Sequence, residues 1–153
     1  MIYVECNTEE SLVRSLTDFR RKEIVHELQG KGGVCNRLRR SENCKGLVDE
    51  DPSSGQPRYL SELVVSDDRP ALGLRRLQDA QRNNDVIVLC PRLEEWIIAA
   101  AKSIDVRLAD HGLPDRSNLL HRVINLDPTK FERLLEALRG SARMRALREM
   151  LTA

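Results

Sequence analysis

The chain has 153 residues, 41% hydrophobic, 32% charged and 3% aromatic, with 25 Lys and Arg against 24 Asp and Glu. That balance excludes disordered, collagen-like and disulfide-scaffold proteins, and a chain of this length buries roughly two thirds of its unfolded surface without a staple. No run approaches the about 20 apolar residues that cross a bilayer, and the start MIYVECNTEE lacks the regions of a signal peptide, so a single domain in the cytoplasm is expected.

Taken in chain order, Ile2 to Cys6 reads as a strand, and Asn7-Thr8 followed by acids starts a helix carrying Leu12, Val13, Leu16 and Phe19. Ile24, Val25 and Leu28 suggest a second helical stretch that Gly30, Gly32 and Gly33 break, with a short basic helix from Val34 to Arg40 after it. Cys44 to Val48 reads as a second strand, ended by the turn-forming string Asp49 to Gly55. Leu72 to Gln78 and Val86 to Cys90, joined by the polar turn Arg82 to Asp85, predict an antiparallel hairpin. Pro91 closes that run, and Leu93, Ile97, Ile98 and Ala101 mark the next helix. Leu108 to Ser117 reads as a loop. The tail predicts two more helices, from about Asp127 through Leu138 and from Ser141 through Leu151, split at Gly140. Strands alternating with helices predict an α/β sandwich with a partly parallel sheet: one domain over residues 1–153, its core at about 1–104 and a helical extension at about 118–153.

Local charge is uneven. From Arg20 to Lys45 there are eight bases and three acids, whereas from Gly46 to Asp68 six acids face only Arg58. The stretch from Lys130 is basic again. The four cysteines make no C-x-x-C pair and read as free thiols, while His26, His111 and His121 share no ligand spacing and read as surface or core residues.

In a parallel sheet, sites form beyond the carboxyl ends of strands, and here that rim is acidic. Glu5 closes the first strand, Asp49 and Asp51 close the second, and Glu94 opens the helix after Cys90. Singly, these acids read as turn and first-turn residues, Thr8 as a cap and Trp96 as packing. Together, four carboxylates from three segments repel one another unless a proton or a hard cation joins them, and Mg²⁺ suits the set, with Mn²⁺ as a substitute.

The order of these residues resembles the Toprim domain, which has a glutamate after its first strand and Asp-x-Asp after a later one; Glu5, Asp49 and Asp51 match. Val4-Glu5-Cys6-Asn7-Thr8-Glu9 and Pro91-Arg92-Leu93-Glu94-Glu95-Trp96 are similar to motifs of short stand-alone Toprim-like proteins of RloB type, with Cys6 where those have glycine. The resemblance spans residues 1 to about 100. It implies a Rossmann-like three-layer sandwich in which Asp49, Asp51 and Glu94 hold Mg²⁺ and Glu5 acts as general base or second-metal ligand, for phosphoryl transfer on nucleic-acid phosphodiesters in a defence or mobile-element setting. Lys45, Arg92 and Lys130 qualify as accompanying bases by character alone. The basic block from Arg20 to Lys45 is a candidate for the nucleic-acid backbone, and the low aromatic content argues against base stacking. The alternatives are a non-catalytic module acting through a partner protein, and a phosphotransferase or hydrolase of small nucleotides.

Overall fold

The computed structural model describes all residues, 1–153. Strands β1 (Ile2–Val4), β2 (Ile24–His26), β3 (Lys45–Asp49), β4 (Val64–Arg69), β5 (Leu74–Asp79) and β6 (Asn84–Leu89) form one sheet in the order β2-β1-β3-β6-β5-β4. The first three and β6 run parallel, and β5 and β4 are added antiparallel. Helices α1 (Asn7–Leu16), α2 (Gly30–Leu38), α3 (Arg58–Ser61), α4 (Leu93–Ser103), α5 (Ser117–Leu126), α6 (Pro128–Leu138) and α7 (Ala142–Thr152) cover the sheet.

Successive strand side chains point to opposite faces, and this alternation sorts the apolar residues into two cores. Ile2, Val4, Leu47, Leu74, Ile87 and Leu89 join a 29-residue cluster with α1 and α4 to α7. Tyr3, Val48, Leu77, Val86 and Val88 turn the other way, into a nine-residue cluster with Val34, Cys35 and Leu38 of α2 and Tyr59 of α3. The result is an unequal three-layer α/β sandwich of Rossmann-like form. From β1 the chain passes through α1 to β2 on one side, then through α2 to β3 on the other. This reversal opens a crevice at the carboxyl ends of β1 and β3, where open α/β sheets place ligands.

Two parts of the sequence reading are corrected. Ile24, Val25 and Leu28 do not lie on a helix: Ile24–His26 is the edge strand β2, paired with β1, and Leu28 is 92% exposed. Their helix-like spacing has no buried face behind it, and two β-branched residues suit a strand. The glycines at 30, 32 and 33 lie inside α2 rather than breaking a helix. An added Cβ at Gly33 would lie 3.1 Å from Gln29 Cβ and 3.2 Å from Glu27 Cβ, so the helix runs too close to the preceding loop for a larger residue. The predicted hairpin is present as β5 and β6, with β4 as a further strand. The loop reading of 108–117 holds apart from a single 3₁₀ turn at Leu108–His111 and the first residue of α5. No helix is long and apolar enough to cross a membrane.

Candidate metal centre

The cleft at the strand ends has a volume of about 460 Å³ and is lined by Glu5, Asp49, Asp51 and Glu94, the four acids singled out from sequence, and by Thr8, Glu9 and others. Three carboxylates are joined to neighbouring backbone in series. Glu9, on the first turn of α1, accepts from the Glu5 N–H at 2.5 Å; Glu5 Oε2 accepts from the Asp49 N–H at 2.8 Å; Asp49 Oδ1 accepts from the Leu93 N–H at 3.0 Å, where α4 begins. Each acid thereby fixes the element that carries the next one. Glu5, Glu9 and Asp49 offer one ligand atom each, all within 4.8 Å of one another.

Full charge on all three acids is costly. Two unit charges within 4.8 Å repel by at least about 3–4 kcal/mol at an effective dielectric near 20. Three such pairs approach the whole stability of an ordinary domain. Protons relieve the repulsion. Burial, then the charges of Glu5 and Glu94, push Asp49 up to about 8. Glu9, only 1% exposed, is held well above the carboxylate range, by burial first and then by its acidic neighbours, and burial raises Glu5 as well. A divalent cation relieves the same repulsion without protons, and a set of hard carboxylate oxygens fits Mg²⁺ or Mn²⁺.

Asp51 and Glu94 stand in the same cleft outside that triad. Asp51 adopts a left-handed backbone with φ 40°, and its N–H donates to Pro91 O at 2.8 Å. Glu50 turns away, toward Arg75 at 3.7 Å. Glu94 is engaged by His121 of α5, whose Nδ1 lies 2.7 Å from Glu94 Oε1. Cys6 also lines the cleft, its Sγ 2.9 Å from Thr8 Oγ1, and burial raises its thiol.

Glu9, His121 and Arg122 are site residues that the sequence reading leaves out. Glu9 has a signal, since it closes the same short motif as Glu5, but a first-turn acid passes for helix capping. His121 and Arg122 have none, because α5 is not among the helices read from the sequence. Of the three accompanying bases, Arg92 lines the cleft, whereas Lys45 pairs with Asp85 at 3.3 Å and Lys130 packs near Gly112. Lys31 is the buried base on the Glu5 side, donating to Glu50 O at 2.7 Å. No residue of the Arg20 to Lys45 block lines the cleft, and Arg37 and Arg39 there pair with Glu27 and Glu62.

No protein-family model matches the chain, and neither a curated protein nor a solved structure does.

Proposed function

We propose that the protein is a Toprim-like, Mg²⁺-dependent domain of the cytoplasm that carries out nuclease-type phosphoryl transfer on nucleic-acid phosphodiesters. The observation that supports this reading is the meeting of Glu5 after β1, Glu9 in α1 and Asp49 at the end of β3 at the switch point of the sheet, with ligand atoms within 4.8 Å. Glu5, Glu9 and Asp49 hold the cation, and Asp51 and Glu94 stand at its rim. A bound Mg²⁺ neutralises phosphate oxygens and lowers the pKa of a coordinated water. The backbone bonds from Glu5, Asp49 and Leu93 keep the three carboxylates in register before any ligand arrives, so little ordering is left for the moment of binding.

Calorimetric titration of Mg²⁺ and Mn²⁺ into the wild type and a Glu5→Gln, Asp49→Asn variant tests the reading. Saturable binding in the wild type and its loss in the variant are expected; equal binding by both proteins sinks the assignment. A second reading is favoured by Cys6, whose thiol lines the cleft where the resembling motif has glycine: a metal-holding module that acts through a partner protein. Intact metal binding with no cleavage of DNA, RNA or nucleotides would select it.

A further inference from the structure

Helix α5 stands as the wall opposite the acids. Ser117, Asn118, His121 and Arg122 recur at one-turn spacing on its cleft side, while Leu120 and Ile124 on the other side enter the main core. The chemistry of that wall differs from the floor. Arg122 is exposed and makes no ion pair, Arg92 holds only Glu95 at 3.5 Å, and His121, 65% exposed, is braced by Glu94 and leaves Nε2 free. Two exposed arginines and an imidazole facing a carboxylate cluster across one cleft suit a ligand that must be anionic on one side and cation-bound on the other, which describes a phosphate.

Resting on the metal reading above, we propose that Arg92, His121 and Arg122 form the phosphate-holding wall of this cleft and that its ligand is an unpaired nucleotide chain gripped through its phosphates, with no base recognised. Three observations favour this ligand. Glu9 and its partners lie at the bottom of a space of about 460 Å³, the size of a small-ligand site, so a strand has to enter singly to reach them. None of the 14 lining residues is Phe, Tyr or Trp, and Tyr3, Tyr59, Trp96 and Phe131 are all buried elsewhere, which leaves bases no broad ring platform to stack on. Even with Glu5, Glu9 and Asp49 holding protons, the acids Asp51, Glu94 and Glu95 outnumber the two arginines in the lining, so the cleft disfavours phosphate until a cation is bound, and metal and strand bind cooperatively.

The test is fluorescence anisotropy of short labelled oligo-dT and oligo-dA, single-stranded and as a duplex, in Mg²⁺ and in EDTA, before any turnover. Wild type is compared with Arg92→Gln, Arg122→Gln and with His121→Gln; calorimetry with Mg²⁺ alone serves as the control for an intact fold and metal site. We expect the wild type to bind both single strands equally and only with Mg²⁺. The double arginine variant should lose affinity about ten- to a hundredfold on both oligonucleotides, with unchanged Mg²⁺ affinity. Its salt slope should fall by about 1.4, corresponding to about 0.7 for each lost single-strand phosphate contact. Unchanged strand affinity and slope in a variant that still binds Mg²⁺ would overturn the wall and leave the metal reading standing. Preference for duplex, for one base, or for a free nucleotide competing as well as the strand overturns the proposed ligand. Absence of Mg²⁺ binding in the wild type overturns the metal reading itself.

Discussion

Asp49 links the chemistry of the cleft to the stability of the whole chain. Its carboxyl is raised from 3.8 to about 8, chiefly by burial and then by Glu5 and Glu94, so the folded protein holds a proton there that the unfolded chain has released. The contribution is fully present below about pH 4 and is lost progressively as pH rises to about 8, because over that window the native state binds a proton that the unfolded chain has released, so each rise in pH favours unfolding. Metal-free protein should melt lower at pH 8.5 than at pH 6, and saturating Mg²⁺ should reverse the trend, since ligation requires the ionised carboxylates. Asp49→Asn keeps an oxygen for the Leu93 N–H and removes the charge. Its melting point without metal at pH 8.5 should exceed that of the wild type, by about 2–4 °C for each kcal/mol of relieved repulsion, with no rise from Mg²⁺. A metal-free wild-type melting point that climbs from pH 6 to 8.5 would contradict this. Glu9→Gln separates the neighbouring acid in the same way: it keeps an acceptor for the Glu5 N–H, so the fold should survive while calorimetry shows at least about tenfold weaker Mg²⁺ binding.

Among the elements, the seam between α2 and the β3–β6 pair is stitched by one side chain remote from the cleft. Asn84, fully buried at the start of β6, donates to Leu38 O and Ser41 O at 2.9 Å each and accepts from the Cys44 N–H at 2.9 Å. Asn84→Ala removes the partner of Ser41 O and of the Cys44 N–H and one of two donors to Leu38 O, at a cost of about 2–4 kcal/mol in chemical denaturation, with metal affinity unchanged. Close by, a Cβ at Gly46 of β3 would meet Leu38 Cδ1 at 2.8 Å and Val34 Cγ1 at 3.0 Å, so Gly46→Ala should cost about 1–3 kcal/mol through overpacking. These elements also show what a sequence makes legible. Strands β3 and β6 and the helices α1, α4, α6 and α7 carry apolar residues at a regular spacing because one or both faces are buried. Strand β4 has no such pattern: it is an edge, Val64 is 70% exposed, and its polar residues alternate with nothing. Strand β2 is three residues long, too short for a period to show. The acids were legible for a different reason, since turn chemistry fixes Asp49 and Asp51 after a strand, whereas Glu9 and His121 join them only through the packing of α1 and α5.

At the scale of the whole molecule, the three C-terminal helices are part of the fold's main core rather than an appendage. Eleven of the 29 residues in the larger cluster come from α5 to α7, from Leu120 and Ile124 through Phe131, Leu134, Leu135 and Leu138 to Met144, Ala146, Leu147, Met150 and Leu151. They meet Leu12, Val13 and Leu16 of α1, the helix that carries Glu9, and Trp96 and Ile97 of α4, the helix whose first N–H holds Asp49. The helices that orient the acids therefore have their apolar faces held between the sheet on one side and this tail on the other. Phe131, fully buried, should cost about 3–5 kcal/mol when replaced by alanine, enough to threaten an ordinary domain. Removing residues 113–153 should go further, giving a chain that binds a hydrophobic dye, melts without a cooperative transition and no longer shows calorimetric Mg²⁺ binding. If that shortened chain instead unfolds cooperatively and keeps its Mg²⁺ affinity, the sheet with α1 to α4 is a self-sufficient unit. In that event α5 would serve the cleft as a wall alone, and the arginine and histidine substitutions on it should act on ligand binding with no echo in stability.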